Sequence, residues 1–187
     1  MSFRTVIVVV ALAAVALARF LPSGSGHGEA SQSGGDRIPA TVTKDVDGDT
    51  LHVRTAAGRD VKVRLLGIDT PETHRPGTPV ECGGPQASAA MARIAPRGTH
   101  VTLATDPTQD RVDRYGRLLA YVFLPDGRLV EDEQLGSGWA TVYVFHGNPV
   151  ERIGELRRHE REAESARRGV WSACGGDFHS AARSRSA

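Results

Sequence analysis

Residues 42–65 read VTKDVDGDTLHVRTAAGRDVKVRL, and the spacing of their apolar side chains decides the fold. Val42, Lys44 and Val46 share one alternation, Asp47-Gly48 is a strong hairpin signal, and Leu51 and Val53 take the alternation up again. A second break at Ala57-Gly58 precedes Val61, Val63 and Leu65, once more at period two. Because successive strand residues face opposite ways, each run has one apolar face to bury. The pattern predicts three antiparallel strands in succession.

Further along, the period changes from two to that of a helix. Pro85 suits a first helical turn, and Ala87, Met91 and Ile94 fall on one face before Pro96. Strands are expected at 99–105 and 117–124, the latter with Leu119, Tyr121 and Phe123 alternating. Asp126-Gly127 marks a turn, and a short helix is expected near 129–136. The last helix carries the clearest signals. Asn148 reads as its N-cap, with Pro149 first and Glu151 three residues after the cap. Val150, Ile153, Leu156, Ala163 and Ala166 form its apolar stripe before Gly169. A five-stranded OB-fold barrel with three helices, an α+β architecture, would bury these faces.

The ends differ from the middle. Arg4 followed by the apolar run TVIVVVALAAVALA and Ala16-Leu17-Ala18 reads as a secretory signal over residues 1–18. The run is shorter than the roughly 20 apolar residues of a spanning helix, so export is favoured over a membrane anchor. Residues 19–37 read as a Gly/Ser-rich linker, 38–176 as one domain, and 177–187 as a disordered tail.

The 187 residues hold 23 Lys and Arg against 22 Asp and Glu. Loss of residues 1–18 removes Arg4 and no acid, which leaves no net charge. A chain without a broad basic surface is a poor long-range sequence reader, so any nucleic-acid chemistry must rest on a local cationic site. The two cysteines, Cys82 and Cys174, suggest one disulfide in an exported chain. Two separate thiols are the alternative; a zinc site with His74 or His179 lacks any C-x-x-C spacing.

Asp49 in VDGDT and Asp69 and Glu72 in RLLGIDTPE put three acids at strand ends. Singly, Asp49 and Asp69 are ordinary turn formers. Arginines alternate with them, however: Arg64 lies in the strand that leads to Asp69, and Asp113-Arg114-Tyr115-Gly116-Arg117 supplies more guanidinium groups. Carboxylates are hard ligands for a divalent cation, and arginine matches phosphate through paired donors. Such a set suffices for phosphoryl transfer. An EF-hand loop starting at Asp45 fails, with Thr50 at position six and Ala56 at position twelve.

DVDGDTLHV, VRLLGIDTPETHRP, ECGGPQASA and DRYGRLLAYVF resemble, in order, four signature stretches of the staphylococcal nuclease (thermonuclease) family, over roughly residues 38–173. The resemblance implies an OB-fold enzyme that cuts DNA and RNA with calcium and leaves 3′-phosphate and 5′-hydroxyl ends. By position it implies Asp49, Asp69 and the Thr70 carbonyl as calcium ligands, Glu72 as general base, and Arg64 and Arg117 on the scissile phosphate. Arg114, Tyr115 and Tyr143 would contact substrate, preferably single-stranded or locally frayed; Arg114 stands where the family has lysine. Phe145 stands at the place of a second family tyrosine. For Tyr143 and Phe145, packing under the barrel mouth and stacking on a base are both open. A secreted monomer without stable membrane association is expected. The rival reading is a non-catalytic nucleic-acid-binding module, which the complete set of site residues disfavours.

Overall fold

The computed structural model describes residues 35–73, 77 and 79–181; the expected signal segment and most of the expected linker lie outside them. In chain order come β1 (Arg37–Asp45), β2 (Thr50–Thr55), β3 (Asp60–Leu65), β4 (Ile68–Asp69), α1 (Gly84–Ile94), β5 (His100–Ala104) and β6 (Leu118–Phe123). Then follow α2 (Val130–Ser137), β7 (Thr141–Val142), α3 (Ile153–Ser165) and α4 (Val170–Ala173). Five strands close a barrel in the order β1-β2-β3-β6-β5, the expected OB-fold architecture, while β4 and β7 form a separate two-stranded ladder. Every barrel pairing is antiparallel except β3 with β6.

The interior is filled by the residues whose alternation defined the strands: Val42, Leu51, Val53, Val63 and Leu65, joined by Val101, Leu103, Ala120 and Val122. Two details depart from simple alternation. A bulge between Val42 and Lys44 breaks β1, so Lys44 is exposed instead of continuing the inward set. In β6 the alternating set Leu119, Tyr121 and Phe123 faces away from the barrel, since Leu118 and Ala120 stand in register with inward Val63 and Leu65. Ala120, Tyr121 and Val122 are all fully buried, because α2 packs on the side of the strand that faces away from the barrel.

The end of the linker belongs to the domain. Asp36 N–H donates to Thr105 Oγ1 at 2.9 Å, and Arg37 pairs with Ala104 as β1 begins. The tail is corrected similarly over its first five residues. Phe178 is buried edge-on against Trp171, with ring centroids 5.2 Å apart, and Cys82 N–H donates to Ser180 O at 2.7 Å. A single bridge between Glu81 and Ala181 extends this contact. Cys82 and Cys174 are joined in a disulfide, so the chain beyond α4 is held beside the start of α1.

The last helix is capped differently from its sequence signals. α3 starts at Ile153, and Asn148 uses its side chain to donate to Thr108 O at 2.8 Å. The amides before the helix find distant acceptors: Glu151 N–H bonds Asp106 Oδ2 at 2.8 Å and Arg152 N–H bonds the Tyr121 hydroxyl at 3.3 Å. Asp106 also accepts the Tyr121 hydroxyl at 2.7 Å, so one buried carboxylate ties β6 to the start of α3. The α3 stripe is buried through Leu156 and Ala163, as its period requires.

One contact of α2 sets up the site. Buried Gln134 donates from Nε2 to Gly48 O at 2.7 Å and Ala87 O at 3.0 Å, which pins the β1–β2 turn to α1. A Cβ at Gly48 would lie 2.7 Å from Thr70 Oγ1 and 2.8 Å from Ala87 Cβ, so only glycine lets the turn approach this closely. Among the described residues no helix is long and apolar enough to cross a membrane.

Candidate active site

Strand register assembles the site at one end of the barrel. Thr50 pairs with Arg64 across β2 and β3, and Leu65 N–H donates to Asp49 O at 2.9 Å, so Asp49 lies beside the end of β3. The parallel pairing of Val63 with Leu118 brings Arg117, just before β6, to the same end. A turn at Leu66-Gly67 then returns the chain through β4, which delivers Asp69.

Arg64 is the hub. Its Nε lies 3.1 Å from Asp49 Oδ1, its Nη2 donates to Asp69 Oδ1 at 2.8 Å, and its Nη1 donates to Leu65 O and Ile68 O at 2.7 and 2.8 Å. Burial works against its charge, but attraction to Asp49 and Asp69 outweighs this and raises its pKa above the ordinary arginine value. The second oxygen of Asp49 accepts both Thr70 N–H and Thr70 Oγ1 at 3.1 Å, and the first also accepts Thr50 Oγ1 at 3.1 Å. The Thr50 hydroxyl in turn receives a long 3.5 Å bond from Arg117 Nη1, linking the two arginines through Asp49.

The carboxylates outnumber the buried guanidinium. Burial first, and then the charge of Asp49, pushes Asp47 up to about 6. Burial likewise pushes Asp69 up to about 6, with Asp49 adding to the rise and Arg64 opposing it. Crowded, desolvated acids of this kind suit a hard divalent cation, and the donor set of Asp49, Asp69 and adjoining Thr70 fits one. Asp47, read from the sequence as a turn residue, belongs to the same negative cluster.

Arg117 has a different seat. Asp113 Oδ2 accepts its Nε at 2.7 Å, Asp113 Oδ1 accepts its backbone N–H at 2.9 Å, and its guanidinium lies 5.3 Å from the Tyr115 ring centroid. Burial disfavours the Asp113 charge, but the bonds from Arg117 outweigh it and hold that carboxyl below its usual range. Arg114 stacks on Tyr115 too, at 4.8 Å. Tyr115, Tyr143 and Phe145 are 67%, 44% and 53% exposed, so packing under the barrel mouth is not what these rings do. Glu72 is half-buried after Pro71, and its N–H donates to Glu81 Oε2 at 2.7 Å.

Four side chains near the site were not assigned to it from the sequence: Asp47, read as a turn residue; Asp113, read only as the start of an arginine run; His179, weighed only for zinc; and Glu81. Asp113 carried a usable signal, an acid four residues before an arginine, whereas Glu81 and His179 carried none. Elsewhere, Asp132, Glu155 and His159 bring three ligand atoms within 4.8 Å of one another. Arg152 pairs with Glu155 there and Arg158 bonds His159 at 3.0 Å, so cations already serve that cluster. An open groove of about 770 Å³, lined by Pro39, Thr41, Arg54, His100 and Phe123, holds none of the site residues.

Comparison with known proteins gives a family match. The family model described as staphylococcal nuclease homologue matches residues 62–173. The chain is 40% identical over 136 residues to the SPbeta prophage-derived endonuclease YokF of Bacillus subtilis, covering 72% of this chain and 44% of that protein. It is 38% identical over 139 residues to endonuclease YncB of the same organism, covering 74% and 64% respectively. A thermonuclease of Staphylococcus intermedius is 30% identical over 170 residues, 91% of this chain and 98% of that protein. The chain thus spans less than two thirds of either Bacillus protein and nearly all of the thermonuclease.

Proposed function

The chain belongs to the staphylococcal nuclease family, and from that premise we propose that it is a secreted, calcium-dependent nuclease hydrolysing phosphodiester bonds of DNA and RNA. The observation that carries the reading is the convergence of Asp49, Asp69, Arg64 and Arg117 at one barrel end, joined through Thr50 and Thr70. Asp49, Asp69 and Thr70 would hold calcium, which when bound adds positive charge beside the reacting phosphate.

The chain's own residues do the rest. Arg64 and Arg117 grip the phosphate and stabilise the charge that builds up in the transition state, from positions fixed before substrate arrives. Glu72 takes a proton from the attacking water. The new bond forms to phosphorus, the P–O5′ bond breaks and O5′ gains a proton, so the ends are 3′-phosphate and 5′-hydroxyl. Tyr115, Tyr143 and Arg114 line the approach as exposed platforms for a base and its phosphate, which favours single-stranded or frayed substrate. The signal-like residues 1–18 and the disulfide support an oxidising, extracellular location, and the enzyme works as a monomer.

The test is to incubate purified residues 19–187 with single-stranded DNA and with RNA, in calcium or in chelator, and identify the ends. Calcium-dependent 3′-phosphate products are expected for both. Cleavage undiminished in excess chelator, or 5′-phosphate ends, would overturn the reading; binding without cleavage would make the protein a binding module.

A further inference from the structure

Glu81 is 4% exposed and lies immediately before Cys82, outside the set of residues that meet metal or phosphate. Its Oε2 accepts the Glu72 N–H at 2.7 Å, and its own N–H donates to Glu72 O at 2.9 Å. The peptide that carries the proposed base is therefore clasped on both sides by one buried residue. Gly84 closes in on the same spot, since a Cβ there would lie 2.9 Å from Glu72 O.

The clasp is held from behind by the C-terminal segment. Cys82 is bonded to Cys174, Cys82 N–H donates to Ser180 O at 2.7 Å, and Ala181 bridges Glu81. His179 stands between two carboxylates, with Nδ1 3.4 Å from Glu81 Oε2 and Nε2 3.8 Å from Asp69 Oδ2. Phe178 packs beneath it on Trp171. A buried carboxylate bonded to a main-chain amide is costly to leave unmade, so this seat is specified tightly.

We propose that Glu81 is a positioning residue for Glu72, and that residues 177–181, tethered by the Cys82–Cys174 disulfide, form the strap that seats it. The inference rests on Glu72 being the base. Holding a base within a fraction of an ångström of its working place is worth one to two orders of magnitude in rate, although the holder touches neither water nor phosphate. The disulfide then does more than stabilise: it fixes the backbone on which the base is carried.

The experiment measures kcat and KM on single-stranded DNA at saturating calcium, in the full mature chain. Glu81→Ala is expected to lower kcat about 10- to 100-fold with KM nearly unchanged. Glu81→Gln, which keeps an acceptor oxygen for the Glu72 amide, is expected to recover most of that loss. In a Glu72→Gln background the Glu81→Ala change should add less than about twofold, because its effect passes through Glu72. The Cys82→Ser/Cys174→Ser double variant tests the strap without touching Glu81, and a kcat several-fold lower with KM unchanged is expected. Full kcat in Glu81→Ala, equal losses in Glu81→Ala and Glu81→Gln, or an undiminished effect in the Glu72→Gln background would each overturn the positioning role. Unchanged kcat in the cysteine variant would overturn the strap. Full turnover in Glu72→Gln alone would instead remove the base assignment and this inference with it, an outcome read from a separate arm.

Discussion

The two arginines of the site are the same residue in two unlike settings. Arg64 sits on a barrel strand, 13% exposed at its side chain, with four partners on three stretches of chain. Arg117 sits on a tight turn at 23% side-chain exposure, and its strong partner Asp113 is four residues away. At the first corner negative charge exceeds positive, and carboxyl pKa values rise. At the second, the local pair is balanced and the carboxyl pKa falls. The difference separates roles: Arg64 is part of the fold as well as of the proposed chemistry, whereas Arg117 is displayed by a self-contained loop.

Removing Arg64 should therefore have the largest effect. Arg64→Ala leaves buried Asp49 and half-buried Asp69 without their cation, which is expected to destabilise by about 3–5 kcal/mol as well as lowering turnover by about 10²–10³-fold. Thermal melts in chelator beside rates in calcium check both. Arg117→Ala should show a similar loss of turnover, but a melting free energy within about 1 kcal/mol of the parent. Equal destabilisation by the two substitutions would break the contrast.

The third effect is one of sign. Asp69 titrates near 6 when folded against a usual 3.8, so its contribution to stability is present below 3.8 and is lost as pH rises through 6. Asp113 is shifted down, so its contribution is present above the usual carboxyl value and lost as pH falls. In chelator, Asp69→Asn should gain on the parent between about pH 4 and 6, while Asp113→Asn should lose ground as pH rises out of strong acid. Melting temperatures across pH with parallel trends for both variants would refute the assignment. The smallest effect is expected from Tyr115→Ala, which removes the ring under Arg114 and Arg117. About 0.5–1 kcal/mol of cation–π contact goes with it, read as a loss of stability no larger than that, beside a few-fold rise in KM from the lost platform.

What could be read without coordinates was what lies close together in the chain. The alternation at Leu51, Val53, Val61, Val63 and Leu65 located two barrel strands, and Pro85 with Ala87 and Met91 located α1. The site residues were legible because their motifs are local runs, and strand register then brought Asp49, Arg64, Asp69 and Arg117 together. Illegible were partners recruited from afar. Ahead of α3, the Glu151 amide takes a carboxylate 45 residues earlier and the Arg152 amide a hydroxyl 31 residues earlier, which no capping pattern around Asn148 can reveal. Glu81 and His179 are separated by 98 positions, and a polar tail gives no hint that Phe178 will find Trp171. The exposed rings of Tyr143 and Phe145 were undecidable from sequence, since aromatics serve cores and platforms alike.

The parallel pairing of β3 with β6 has a consequence for when the candidate site becomes complete. The β2–β3 hairpin places Asp49 and Arg64 through contacts between neighbours in the chain, which close fast. Arg117 arrives only when Leu118 docks on Val63, 55 positions earlier, and that closure carries the entropy of a long loop. Catalytic competence should thus emerge with ring closure, after the hairpin has formed. A nascent chain that has not yet reached residue 117 holds the acids and Arg64, but not the second arginine of the proposed phosphate grip.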